Sequence, residues 1–102
     1  MMFGLDDKHI NFIKNMLKKH IQSPNAKFYI FGSRAKGKYR EYSDIDIAID
    51  FPDMLLEQKI KLQSDFENSA FPYEVDIIDL NTIQKDFKDI IKDDLVEFNL
   101  NN

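Results

Sequence analysis

Ten residues separate Gly32-Ser33 from Asp44, and one residue separates Asp44 from Asp46. The chemistry those residue types suggest is the handling of a phosphate and a metal. Glycine lets backbone approach a phosphate closely, and a serine at the mouth of a turn or short helix offers its hydroxyl and nearby amides to phosphate oxygens. Two aspartates at i and i+2 of a strand project from one face, close enough to repel unless a cation lies between them. With hard oxygen ligands and no histidine in the group, magnesium suits the pair, phosphates and waters completing its octahedron. Charge is segregated around this motif. Lys27, Arg34, Lys36, Lys38 and Arg40 occur with no acid from Ala26 to Arg40, whereas Glu41, Asp44, Asp46, Asp50 and Asp53 occur with no base from Glu41 to Asp53. Gly32, Ser33, Arg34 and Lys36 are therefore the candidate triphosphate ligands, Arg40 a further cation, and Asp44 and Asp46 the candidate metal ligands.

Strands must hold these groups. Lys27 to Phe31, rich in aromatic and β-branched residues, reads as a buried strand ending at Gly32-Ser33, after which a short helix or turn runs to Gly37. From Ser43 to Phe51 the period is two: Ile45, Ile47 and Ile49 on one face, Asp44, Asp46, Ala48 and Asp50 on the other. Tyr73 to Leu80 reads as a third strand. If Tyr73, Val75 and Ile77 join the isoleucine face, Asp76 falls on the acidic face and Asp79 does not, which makes Asp76 the third carboxylate. A third ligand permits a second metal, and two ions roughly 3.5–4 Å apart can clamp the attacking and leaving oxygens of an in-line displacement. Asp76 could also accept the nucleophile's proton.

Helices are expected around these strands. Leu5 to Ile21 has apolar residues at helical spacing, Met54 to Phe66 follows Pro52 with Asp53 as its cap, and Thr82 to Ile91 carries Ile83, Phe87, Ile90 and Ile91 on one side. A short edge strand is expected within Leu95 to Phe98. His9 and His20, eleven residues apart with no third ligand nearby, read as surface residues.

At 102 residues, 43% hydrophobic and 31% charged, the composition is that of one ordinary globular domain, expected to span residues 1–102. There is no apolar run of transmembrane length and no signal-peptide pattern in MMFGLDDKHI, so a cytoplasmic protein without membrane attachment is expected. Zero cysteines exclude disulfides and cysteine-based catalysis. A net charge of −4 argues against general nucleic-acid binding, which needs a basic surface to displace counterions.

Gly-Ser, ten residues, then Asp-any-Asp, with Asp76 on a later strand, resembles the signature of the nucleotidyltransferase superfamily that includes DNA polymerase beta. Its smallest members, the minimal nucleotidyltransferases, are most similar, over Lys27 to about Asp79. The resemblance implies an α/β (α+β) fold, a small mixed sheet with helices packed on one face and Gly32, Ser33, Asp44, Asp46 and Asp76 on the other. It further implies nucleotidyl transfer, most often of AMP from ATP with Mg²⁺, and a HEPN-domain ribonuclease toxin as the partner that such antitoxins adenylylate. Two other functions fit the same residues less well. A binding-only antitoxin or scaffold would not need the carboxylates, and a transferase for a small-molecule acceptor usually has a further domain.

Overall fold

The computed structural model describes residues 2–101. Helix α1 (Asp7–His20) leads into strand β1 (Lys27–Phe31), then β2 (Ile45–Asp50), α2 (Leu56–Asn68), β3 (Val75–Asp79), α3 (Lys85–Ile91), a 3₁₀ turn over Lys92–Asp94 and a two-residue strand β4 (Val96–Glu97). The sheet order is β3-β2-β1-β4. β1 runs antiparallel to β2 and β4, while β2 and β3 are parallel, joined through α2 as a parallel pair requires.

Strand periodicity sorts the side chains onto two faces. Ile30, Ile45, Ile47, Ile49, Val75 and Ile77 are buried on one face, in a single core with Ile10, Ile13 and Leu17 of α1 and Leu62 and Phe66 of α2. In α1 the apolar spacing supplies the buried stripe, Asp7 lies in the first turn and Lys18, Lys19 and His20 in the last, charges that suit the helix dipole. The other face is divided. Phe31 and Ala48 form a smaller cluster with Leu80 and Ile91, so α3 covers one half of it, and the acidic residues occupy the other half.

The outer edge of β3 is closed by a side chain. Gln63 of α2 donates from Nε2 to the Val75 carbonyl and accepts the Ile77 N–H on Oε1, taking the place of another strand.

Several boundaries differ from the sequence reading. Asp53 does not cap α2, because Phe51 to Met54 forms a turn, closed by the Met54 N–H on the Phe51 carbonyl, that buries Met54. The helix begins two residues later, and Gln58 reaches back to accept the Leu55 N–H at 2.8 Å. Thr82 and Ile83 fold onto the Asp79 carbonyl, so α3 begins at Lys85. Both histidines are half-buried against partners rather than standing free at the surface. His9 packs edge-on against Phe71 and Tyr73, and the His20 Nε2 lies 2.8 Å from Asp65, joining α1 to α2.

Candidate functional site

Register brings the motif together. Phe31, the last residue of β1, pairs with Asp46, and Asp46 pairs in turn with Asp76 on β3. Two carboxylates therefore project from one face of neighbouring strands, whose backbones run about 4.8 Å apart. Asp44 lies one residue ahead of β2, exposed, beside the Ile45 N–H that bonds the Glu74 carbonyl. Asp79 has the opposite parity, is buried, and accepts the Asn81 N–H at 2.9 Å.

Gly32 begins the turn directly after β1. Its φ of +75° lies in the left-handed region, and a Cβ there would collide with Oδ2 of Asp46. Glycine is thus favoured by its backbone, and any larger residue would also have to push the end of the Asp46 side chain aside. Ser33 follows, with its carbonyl accepting the Lys38 N–H at 2.9 Å while the Gly32 carbonyl accepts from Lys36. The segment is a turn rather than a helix.

The electrostatics record the crowding of acids. Burial first, then Asp76, then Asp44, raise the Asp46 carboxyl above the ordinary aspartate range. Among the described residues, no three acidic or histidine side chains are already gathered as a metal cage. The donor set nevertheless fits a hard divalent cation, because magnesium takes one or two carboxylates and completes its shell with phosphate and water oxygens.

Arg34 departs from its expected phosphate role. Its guanidinium points inward, with the residue only 2% exposed. Nε and one terminal nitrogen donate to the Ser43 carbonyl at 3.0 and 2.9 Å, that same nitrogen also reaches the Glu41 carbonyl, and the other donates to Phe3 at 2.8 Å. Tyr39 and Tyr73 stack against it at 5.2 and 4.9 Å. A basic side chain beside a Gly-Ser motif looks like a phosphate ligand in sequence, and only the fold shows that backbone carbonyls have taken its donors. Lys36 is exposed on the turn and pairs with Asp94 at 3.2 Å. No pattern in the chain foretold Phe3 or Tyr73 as parts of the site's surroundings.

Compared with known proteins, residues 8–100 match the model of the nucleotidyltransferase domain. The chain belongs to the nucleotidyltransferase-domain family. This nucleotidyltransferase is 33% identical over 89 residues to a protein of Haemophilus influenzae described as a probable protein adenylyltransferase, MntA, covering 86% of this chain and 76% of that one. Among solved structures it resembles a chain of a toxin-antitoxin complex crystallised with AMP-PNP, with a TM-score of 0.71, 27% identity and coverage of 87% and 71%. A second likeness is to a chain from the tri-AMPylated Shewanella oneidensis HEPN toxin in complex with its MNT antitoxin, with a TM-score of 0.67, 26% identity and coverage of 92% and 71%. The small mixed sheet with helices is thus the nucleotidyltransferase fold.

Proposed function

We propose that this nucleotidyltransferase transfers AMP from ATP, with Mg²⁺, to a protein acceptor, and that the acceptor is a HEPN-domain toxin which the modification neutralises. The observation that carries the reading is the registered pair Asp46 and Asp76, with Gly32 set against Asp46. Likeness to a protein adenylyltransferase and to a chain of an AMPylated toxin complex supports the choice of acceptor. A cytoplasmic site of action accords with the use of ATP.

In this reading Gly32 and Ser33 present backbone and hydroxyl donors to the triphosphate, and exposed Lys36 leaves Asp94 to meet a terminal phosphate. Asp44 and Asp46 would hold one Mg²⁺, and Asp46 with Asp76 a second, which when bound polarise the α-phosphate and neutralise the departing pyrophosphate. A hydroxyl oxygen of the acceptor attacks the α-phosphorus and forms the new P–O bond as the bond to the β-phosphate oxygen breaks. Pyrophosphate leaves, and the hydroxyl proton passes to Asp76, which stands exposed at the sheet face.

Labelled ATP, Mg²⁺ and the cognate HEPN protein test this directly. Label should pass to the acceptor from wild type and not from Asp44→Asn or Asp46→Asn. Asp76→Asn should cost far more activity than Asp79→Asn. Undiminished labelling by the Asp44→Asn/Asp46→Asn double variant would overturn the catalytic assignment, and neutralisation without labelling would make this a binding-only antitoxin.

A further inference from the structure

We propose that Arg34 is a positioning residue, whose buried guanidinium fixes the phosphate half of the site relative to the carboxylate half; this rests on the catalytic reading above. Ser33 and Asp44, the two ends of the ten-residue gap, are the immediate neighbours of Arg34 and Ser43. Nε and a terminal nitrogen of Arg34 both close on the Ser43 carbonyl, so a single forked contact joins the two ends. The fork is directional, because a planar guanidinium presents paired donors at fixed angles where an ammonium presents a point charge.

The first half of the intervening segment is ordered by its own turn bonds and by the Lys36–Asp94 ion pair, and its later half by the rings of Tyr39 and Tyr42, the latter 6.1 Å from Tyr73. Residues 36–42 are all exposed, so they contribute almost nothing to a core. Beyond Arg34, the bonds that shape the end of the loop are local ones, the Arg40 N–H to Ser43 Oγ at 2.7 Å and the Ser43 N–H to the Arg40 carbonyl at 3.1 Å. Without the Arg34 fork no direct bond would join the two ends, leaving Asp44 free to shift relative to Ser33, and displacement of a reacting group by about 1 Å can cost roughly a hundredfold in rate.

The brace is anchored outside the loop as well. The Phe3 carbonyl accepts a hydrogen bond from Arg34, and the chain there is held in an unusual turn, with Phe3 at φ +55° and Gly4 at φ +71°. The ring of Tyr39 lies so close over Gly4 that a Cβ at that position would overlap it. Tyr39 thus touches both the N-terminal turn and the guanidinium, while Tyr73, two residues before β3, covers the cation from the other strand of the site. Phe3 in turn packs against Phe98 beyond β4. Desolvating a guanidinium is costly, and here three carbonyls and two aromatic faces offset that cost. The arrangement therefore links β1, the start of β2, the approach to β3 and the N-terminal turn at one charged group.

The test compares Arg34→Lys and Tyr39→Ala with wild type in the labelling assay, under conditions where circular dichroism shows each variant folded. Lysine keeps the charge and loses the fork. Arg34→Lys should lower the rate at saturating ATP roughly ten- to hundredfold while the KM for ATP stays within about threefold. Tyr39→Ala, at an exposed position that leaves the core intact, should lower the same rate several-fold. Loss confined to KM would overturn the proposal in favour of direct phosphate contact, and a wild-type rate in Arg34→Lys would also overturn it. Should Arg34→Lys fail to fold, Tyr39→Ala alone decides, a reduced rate supporting the brace and a wild-type rate refuting it. Absence of labelling by wild type would instead count against the catalytic reading itself.

Discussion

Replacing Gly32 with alanine would strike both halves of the site at one atom. The added Cβ meets two separate penalties: a left-handed backbone at φ +75°, which costs an L-residue about 1–2 kcal/mol, and overlap with Asp46 Oδ2. Relieving the overlap requires the Asp46 side chain to leave its rotamer, at about 0.5–1.5 kcal/mol. The expected total is about 1.5–3.5 kcal/mol, equivalent to a fall in Tm of roughly 6–28 °C for a domain of this size. A double-mutant cycle separates the two. In an Asp46→Ala background only the backbone term remains, so urea denaturation should find the Gly32→Ala cost smaller by about 1 kcal/mol. Labelling by Gly32→Ala alone should fall about a hundredfold, because the carboxylate has been moved. Equal costs in the two backgrounds would show that Gly32 does not support Asp46, and a cost below about 0.5 kcal/mol would refute the left-handed turn.

Asp46→Asn should be more stable than wild type at neutral pH in the absence of metal, although inactive. The folded state raises this carboxyl above its unfolded value, so its ionised form opposes folding above the raised pKa; the advantage of asparagine should shrink as pH falls through that pKa and vanish below the unfolded value near 3.8. Denaturation curves at pH 7.5 and at pH values stepping down to 3.5 measure this, and a gap that widens on acidification would contradict the electrostatics. Asp65 carries the opposite sign, its carboxyl held below the usual range by His20 and then Lys19, so Asp65→Asn should lose stability relative to wild type in full above the unfolded value near 3.8, and progressively less as the pH falls from there through the lowered folded value. Gln63→Ala, which strips the partners from the Val75 carbonyl and the Ile77 N–H, should cost about 1–3 kcal/mol and raise the tendency to self-associate, read by denaturation and light scattering. Ile47→Ala, in the fully buried centre of β2, should cost about 2–5 kcal/mol, and a smaller loss would mean the core closes around the cavity.

The strands and their facing were legible because β periodicity depends only on alternation. Ile45, Ile47 and Ile49 had to enter the core, which turned Asp46 outward, and the same parity on the third strand separated Asp76 from Asp79. Helix starts were less legible. Asp53 looked like a cap, yet burial of Met54 won over capping propensity and shifted α2. Arg34 was misread for a different reason: charge in sequence gives no direction, and whether a guanidinium faces phosphate or carbonyls depends on how Phe3, Glu41 and Ser43 converge in space. His9 and His20 failed likewise, since their partners Phe71, Tyr73 and Asp65 lie 45 or more residues away along the chain.

The parallel pairing of Asp46 with Asp76 makes assembly of the site a condition of folding rather than an addition to it. Were β3 to slip by one residue against β2, Asp76 would be driven into the isoleucine core and Val75 out into water, so the misaligned chain would lose its stability together with its third carboxylate. Gln63 guards the same alignment from the other side, since its amide reads the backbone of Val75 and Ile77. Quality control that responds to exposed apolar surface would thereby discard chains misaligned at β3, and the incomplete sites they carry, without any means of sensing catalysis.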